Sequence, residues 1–243
     1  MDRHHQRVPI EGKVFMGYAD VAEAVSSMAQ AVIFFRPDVM VAIGYPGLFI
    51  AKALETEVRK ALGVDQVPIV VVQLEIHEKG SDSPIRWRPS KSWDDHTFIK
   101  VRQWFDEAPG SFGECVRGQR VLIVDAIDDT RATLQACAEQ LAEKHDPSAM
   151  AVFVLHDKVK PKVGTLDESI TYIVAEETRH AWICYPWDAT GSKSLAAHEE
   201  MARRSSGVET MVEPASTMPS IAVLAVAVLA GVVIGASIGG ARR

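Results

Sequence analysis

The stretch that decides the fold runs from residue 121 to residue 134 and reads Val121-Leu122-Ile123-Val124-Asp125-Ala126-Ile127-Asp128-Asp129-Thr130-Arg131-Ala132-Thr133-Leu134. Its first part is an apolar run rich in β-branched residues, which is typical of a buried strand. The acids and the turn that follow lead into a helical pattern, so the stretch predicts a strand, a turn and a helix N-terminus. Ligands bind at such a junction in open α/β sheets.

The start of this predicted helix favours a phosphate. Its first backbone N–H groups have no partner within the helix, and the helix dipole places positive charge there. Asp125 and Asp129 flank this position, where their carboxylates could hold ribose hydroxyls, a Mg²⁺ ion or a proton. These residues therefore predict a phosphorylated sugar as the ligand.

Length and composition describe an ordinary globular protein. The 243 residues are 47% hydrophobic and 24% charged, with a net charge of −6, which allows one α/β domain and an appendage. The mild acidity and the lack of a Lys/Arg cluster argue against a nucleic-acid partner. Cys115, Cys137 and Cys184 are widely spaced and form no CxxC pair, so we expect reduced thiols in a cytosol-facing domain.

Strand and helix patterns alternate along most of the chain. We expect helices over residues 18–35, 48–62, 130–144 and 194–204, and strands over residues 39–43, 68–76, 101–105, 119–126, 150–155, 170–175 and 181–185. The alternation predicts an α/β fold with a central, mostly parallel sheet flanked by helices. The polar stretch over residues 77–100 is either a solvated hairpin or a mobile lid.

The end of the chain differs from the rest. Residues 221–241 contain no charged residue and, at about 1.5 Å per residue, are long enough to cross a bilayer core of roughly 30 Å. We therefore expect a folded domain over residues 1–204, a polar linker over 205–219 and a C-terminal transmembrane helix over 220–241. Its glycines recur at the small-xxx-small spacing that lets membrane helices associate. The residues that follow Met1 do not form an apolar segment, so we do not expect a cleaved signal peptide.

Three further segments carry residues suited to binding and chemistry. They are Phe153-Val154-Leu155-His156-Asp157-Lys158 with Lys160-Pro161-Lys162, Trp182-Ile183-Cys184-Tyr185-Pro186-Trp187-Asp188, and Val41-Ala42-Ile43-Gly44 with Gly47. Together with residues 121–133, they resemble the type I phosphoribosyltransferase family over roughly residues 15–200. Residues 121–133 resemble its motif for 5-phosphoribosyl 1-pyrophosphate (PRPP), and the others resemble the purine-contacting strand, the hood and the pyrophosphate loop. The resemblance is strongest to the yeast-type hypoxanthine-guanine and xanthine enzymes.

The resemblance implies a purine salvage reaction in a type I phosphoribosyltransferase fold with a small hood. Such an enzyme transfers 5-phosphoribose from PRPP to a 6-oxopurine (hypoxanthine, guanine or xanthine) and releases pyrophosphate. The transition state has oxocarbenium character, so the placement of charge matters more than a protein nucleophile. Asp129 then matches the catalytic acid beside the purine imidazole ring. The matches to the PRPP and 5′-phosphate contacts are Asp125, Asp128, Asp129, Thr130, Arg131, Ala132 and Thr133.

The remaining site residues follow from the same resemblance. The pyrophosphate loop corresponds to Gly44, Tyr45, Pro46 and Gly47, and the purine site to Lys158, Trp182, Ile183 and Asp188. Lys158 would donate to the oxygen at purine C6, Trp182 would stack on the base, and Ile183 would offer backbone groups. Asp125 and Asp188 are the candidate ligands for Mg²⁺, which prefers carboxylates, phosphates and retained waters. We also expect a homo-oligomer, either a dimer or a tetramer.

Two positions depart from the family pattern and keep an alternative open. Ala126 replaces the second acid of the PRPP motif, and the loss of a charge-assisted hydrogen bond there is worth on the order of 1.5–3 kcal/mol. Tyr45-Pro46 replaces glycines of the yeast-type loop, and proline lacks a backbone donor. The alternative is a catalytically weak or inactive, membrane-tethered module that binds a nucleotide or PRPP. A dinucleotide-binding protein is disfavoured, because no GxGxxG follows a predicted strand.

The expected location follows from the apolar tail. A span at this place in the chain would insert after translation and leave a catalytic domain facing the cytosol. The short basic ending Arg242-Arg243 is compatible with a mitochondrial or plastid outer membrane. We therefore expect a membrane-anchored enzyme with PRPP and a purine base as its partners.

Overall fold

A computed structural model describes residues 7–78, 97–105, 115–178 and 182–206. In chain order the elements are β1 (Lys13–Phe15), α1 (Tyr18–Phe35), β2 (Val39–Ile43), α2 (Gly44–Leu62), β3 (Ile69–Glu78), β4 (Thr97–Gln103), β5 (Arg120–Asp128), α3 (Ala132–His145), β6 (Ala149–Lys158), β7 (Thr171–Thr178), β8 (Trp182–Cys184) and α4 (Ser192–Ser205). A short 3-10 helix, Pro186–Asp188, lies between β8 and α4.

Six strands form the central sheet in the order β4-β3-β2-β5-β6-β7. All neighbours are parallel except β4, which runs antiparallel to β3 at the edge of the sheet. The chain leaves β2 toward β3 on one side and leaves β5 toward β6 on the other, so the strand order reverses between β2 and β5. Ligands bind outside the carboxyl ends of the strands at such a switch point. The predicted α/β fold with a mostly parallel sheet is confirmed.

Strand β5 is buried on both faces, as its apolar sequence predicts. Side chains alternate along a strand, so Leu122, Val124 and Ala126 pack toward α1 and α2. Val121 and Ile123 pack on the opposite face against α3. The central strand therefore holds its carboxyl end at a fixed height between two helical layers.

Several element boundaries differ from the sequence prediction. Helix α2 begins at Gly44 rather than at residue 48, because a proline in the first turn, such as Pro46, costs no helical hydrogen bond. Strands β5 and β6 extend to Asp128 and Lys158, where Asp128 pairs in register with Asp157. Apolar patterning missed these ends because the paired residues there are charged.

A second, two-stranded parallel sheet pairs β1 with β8, and we call these two strands with the 3-10 helix the hood. Strand β1 was not predicted, because three residues give too little pattern.

Two predictions concern residues outside the described ranges. The hairpin or lid was placed within residues 77–100, of which 79–96 are not described. The linker beyond residue 206 and the transmembrane helix over 220–241 are likewise outside. None of the described helices has the length and hydropathy of a membrane span.

Candidate active site

The first turn of α2 lies directly against the end of β5. A Cβ atom on Gly47 would be 2.4 Å from the carbonyl oxygen of Val124, so only glycine fits there. Gly44 has φ of +64°, a conformation that glycine adopts without strain. No side chain caps this helix, so its first N–H groups remain available for a phosphate, with Pro46 contributing none. This turn is the predicted pyrophosphate loop, and the Tyr45 side chain beside it is 73% exposed.

A second free helix start follows β5. Helix α3 begins after Arg131, which has φ of 66°, and no side chain caps it. Its first N–H groups are thus suited to a 5′-phosphate, with Thr130 and Thr133 partly exposed beside them. The N–H groups of Val163 and Gly164 donate to the Thr130 carbonyl at 3.0 and 2.9 Å. The segment after β6 therefore holds this phosphate loop by its backbone.

The side chains of Asp128 and Arg131 pair with each other behind the loop. The buried Asp128 carboxylate accepts hydrogen bonds from Arg131 Nε at 2.8 Å and from the Tyr172 hydroxyl at 2.9 Å. Lys162 Nζ lies 3.3 Å from the same carboxylate and 2.5 Å from that of Asp157. Both Asp128 and Arg131 were predicted as PRPP contacts. Because these side chains are engaged with one another, we expect only their backbone groups to face a phosphate.

The carboxylate of Asp129 faces two lysines. Its Oδ1 lies 2.8 Å from Lys160 Nζ and 3.2 Å from Lys158 Nζ. Burial alone would raise the pKa of Asp129, but hydrogen bonds from Lys160 and Lys158 and their positive charges outweigh it and lower the pKa. The group is therefore ionised at neutral pH and able to accept a proton, which is the state that a general base requires.

An exposed indole lies beside these lysines. Trp182, at the start of β8, is 67% exposed, and Lys158 Nζ lies 5.9 Å from its ring centroid. The backbone N–H of Trp182 donates to the carbonyl of Gly12, and the carbonyl of Cys184 accepts from the backbone N–H of Met16. Because alternate residues of a strand face opposite sides, the backbone groups of Ile183 face away from β1. The structure thus brings together Lys158, the Trp182 ring and the free backbone edge at Ile183, three of the features that the sequence assigned to a purine site.

The hood is fixed to the main sheet through Tyr185. Its hydroxyl donates to the Ala126 carbonyl at 3.1 Å and lies 2.8 Å from His156 Nδ1. Its ring stacks on Trp187, which stacks in turn on Phe49 of α2. The Ala126 side chain, 3% exposed, therefore packs in the core of this structure beneath this contact.

Asp125 and Asp188 were predicted as magnesium ligands. Asp125 accepts the N–H of Ala126 at 2.7 Å, and the exposed Asp188 accepts that of Tyr185 at 3.2 Å. Within the described ranges, no three His, Cys, Asp or Glu side chains converge as a metal site. The two carboxylates therefore fit Mg²⁺ only if substrate oxygens and waters complete its shell.

Several supporting residues received no role from the sequence. They are Lys160, Lys162, Tyr172, His156 and Tyr185. The lysine run after β6 was visible, but its spacing does not tell which lysine reaches which carboxylate. The partners of the two tyrosines lie far away in the chain, so no local pattern could reveal them.

The fold and these groups define a class of protein: an α/β protein with two uncapped helix starts at the switch point of its sheet and an exposed tryptophan in a hood beside it. Comparisons with known proteins give the family. The chain is 31% identical over 202 residues to hypoxanthine-guanine phosphoribosyltransferase of Schizosaccharomyces pombe, covering 76% of this chain and 94% of that protein. It is 28% identical over 210 residues to xanthine phosphoribosyltransferase 1 of Saccharomyces cerevisiae, covering 79% and 95%.

A solved structure is similar too. A hypothetical protein from Neisseria gonorrhoeae with bound ppGpp is 30% identical and superimposes with a TM-score of 0.60, covering 79% of this chain and 96% of that one. No protein-family model matches the chain. The chain belongs to the purine phosphoribosyltransferases, so the predicted resemblance is confirmed. These relatives are named for their activity and lend no support to the alternative of an inactive module.

Asp125 gives the unliganded protein a characteristic dependence of stability on pH. Burial raises the pKa of Asp125 to about 7; the N–H of Ala126 opposes this shift and the charge of Asp128 adds to it. In the unfolded chain the pKa is about 4, so between about pH 4 and 7 only the folded state holds this proton. The resulting stabilisation is lost as the pH rises through this window.

As the pH rises from about 5 to 8, we expect the free energy of unfolding of the wild type to fall by about 2 kcal/mol more than that of Asp125→Asn. This corresponds to roughly 4–8 °C in melting temperature, measured without Mg²⁺ or substrate. Asp65→Asn, at an exposed carboxylate, is the matched control and should behave like the wild type. Equal pH dependence of Asp125→Asn and the wild type would contradict a raised pKa of Asp125 in the folded state.

Proposed function

We propose that this protein is a purine salvage enzyme that transfers 5-phosphoribose from PRPP to hypoxanthine, guanine or xanthine and releases pyrophosphate. The observation that carries the proposal is the ionised Asp129 carboxylate. It lies between a free helix start suited to the 5′-phosphate and a lysine next to an exposed tryptophan. The names of the yeast relatives support the choice of 6-oxopurines.

The two free helix starts account for the two ends of PRPP. The 5′-phosphate would accept hydrogen bonds from the N–H groups at the start of α3. The pyrophosphate would accept hydrogen bonds from the N–H groups at the start of α2. These helices follow the neighbouring strands β5 and β2, which are about 4.8 Å apart. The ribose would lie between them, with its hydroxyls near Asp125.

The base would lie between Trp182 and the carboxyl ends of β5 and β6. A purine nitrogen attacks C1 of the ribose while the bond from C1 to the pyrophosphate oxygen breaks. The purine then loses an imidazole proton, which the Asp129 carboxylate accepts. Lys158 donates to the oxygen at C6. Adenine has an amino donor at this position, so we expect it to be a poor substrate.

We also propose Mg²⁺ as a partner of the substrate. Asp188 or Asp125 would hold it together with pyrophosphate oxygens of PRPP and waters. When bound, the ion neutralises negative charge on the leaving pyrophosphate. A dimer or tetramer remains our prediction for the assembly.

Turnover by the purified protein tests the reaction. With PRPP and Mg²⁺, we expect pyrophosphate release with hypoxanthine, guanine or xanthine and little with adenine. Asp129→Asn should lower kcat by about 10² to 10⁴-fold, because it removes the proton acceptor, while PRPP affinity changes little. Asp65→Asn controls for the loss of a carboxylate elsewhere. PRPP binding without turnover of any purine would instead favour a sensor.

A guanine nucleotide should bind the same site. The similar protein from Neisseria gonorrhoeae holds ppGpp, whose guanine is a 6-oxopurine and whose ribose carries phosphates. We expect ppGpp to compete with PRPP in calorimetric titrations and Lys158→Met to weaken its binding about tenfold or more. Lys60→Met, at an exposed lysine, should leave the affinity unchanged. Simultaneous binding of PRPP and ppGpp would rule out a shared site.

We propose that residues 220–241 anchor the enzyme in a membrane, with residues 205–219 as the linker and the folded domain facing the cytosol. The uncharged stretch over residues 221–241 supports this. A fluorescent reporter fused to residues 206–243 should localise to a membrane, with the mitochondrial or plastid outer membrane as our expectation. Leu224→Arg with Leu229→Arg should release it, because charge is costly in a bilayer. A diffuse signal from the unaltered fusion would refute the anchor.

A further inference from the structure

Two lysines share one oxygen of Asp129, and the reaction proposed above uses only one of them. Lys160 Nζ is 2.8 Å and Lys158 Nζ is 3.2 Å from Asp129 Oδ1. All three side chains are partly buried, with exposed fractions of 32%, 20% and 41% for Lys160, Lys158 and Asp129. Lys158 has a purine oxygen to reach, which leaves Lys160 without an assigned task.

The two lysines differ in their other contacts. Lys158, the last residue of β6, also lies over the Trp182 ring, so it borders the space where a base would stack. Within the described residues, the side chain of Lys160 pairs with Asp129 alone. Movement of Lys158 toward a bound purine would therefore leave Lys160 as the cation on the carboxylate.

The backbone around Lys160 is fixed to the loop that carries Asp129. The Lys160 N–H donates to the Lys158 carbonyl at 2.8 Å, which makes a tight turn. Two residues further on, Lys162 Nζ donates to the carbonyl oxygens of Asp128 and Asp129 at 2.6 and 3.3 Å. The backbone N–H groups of Val163 and Gly164 donate to the Thr130 carbonyl, so the Lys160 side chain starts from a backbone segment anchored beside Asp129.

The other charged groups nearby are committed elsewhere. Arg131 pairs with Asp128 and Asp157, and Lys162 pairs with the same two carboxylates. The Asp125 carboxylate belongs to β5 and accepts a hydrogen bond from the N–H of Ala126. In the part of the chain that the structure describes, Lys158 and Lys160 are therefore the cations that face the Asp129 carboxylate.

We propose that Lys160 is a positioning residue for the phosphoribosyl transfer: it stays on the Asp129 carboxylate when Lys158 moves to the 6-oxo group of the purine, and it holds that carboxylate beside the imidazole ring. This inference rests on the proposed function. Without Lys160, the departure of Lys158 would leave a half-buried carboxylate without a cation, and such a group tends to take up a proton. A protonated Asp129 could not accept the purine proton.

A titration that needs no turnover tests the contact itself. In the full-length protein labelled with ¹³C-aspartate, the Asp129 carboxyl signal is assigned by its loss in Asp129→Asn. Lys160→Met should raise the midpoint of this titration by about one pH unit, as expected for removal of a nearby opposite charge. Lys160→Arg should keep the midpoint low, and Lys60→Met should not move it. An unchanged midpoint in Lys160→Met overturns the proposal.

Kinetics separate positioning from a general loss of structure. In Lys160→Met, the acid limb of the pH profile of kcat should move up by about one pH unit, with KM for the purine nearly unchanged. Lys160→Arg should restore the profile. Lys158→Met should instead raise KM for the 6-oxopurine. A uniform fall of kcat at every pH, with no movement of the limb, overturns the role of Lys160. Absence of turnover in the wild type refutes the proposed function, and the titration then still decides whether Lys160 controls Asp129.

Discussion

The approach of α2 to β5 at Gly47 is the constraint on which the phosphate side of the molecule depends. A side chain at this position would collide with the Val124 carbonyl, so a larger residue would push the helix away from the sheet. With glycine, α2 starts beside the strand that ends in Asp125 and Asp128. The positive ends of α2 and α3 then meet at one edge of the sheet, although the two helices cover its opposite faces. Two anionic groups joined by a ribose fit this arrangement.

Charged pairs are layered around the phosphate loop according to burial. Behind the loop, the buried Asp128 is paired with Arg131 and Lys162. Breaking such a buried pair costs several kcal/mol, so this layer acts as a fixed support. In front, the pairs between Asp129 and its lysines are partly exposed and of small net stability. The pair with Lys158 can therefore be exchanged for a contact to a ligand at little cost, which suits a site that binds and releases a substrate on each turnover.

The sequence predicted those features that depend on local patterns. The bounds of α1 and β2, the apolar part of the central strand and the presence of a helix after β2 and after β5 all follow from apolar periodicity and from turn residues. The directions of Asp128 and Arg131 could not be predicted, because they depend on how far β5 pairs with β6 beyond the apolar run. The burial of Ala126 could not be predicted for a similar reason, because it depends on the packing of Tyr185, which is distant in the chain. The pairing of Lys160 with Asp129 could not be predicted either, because the two residues are distant in the chain and meet only in the folded structure.

The hood is built from two strands that are distant in the chain, since β1 near the start pairs with β8 near the end of the folded domain. The strands and helices of the phosphate side, in contrast, are complete once β7 has been made. Contacts between distant residues form late, because a long loop must close first. During synthesis on the ribosome, the chain therefore acquires its pocket for phosphates before its pocket for a base. A nascent or truncated chain that lacks β8 would retain the former but lack Trp182, the side chain on which a purine would stack.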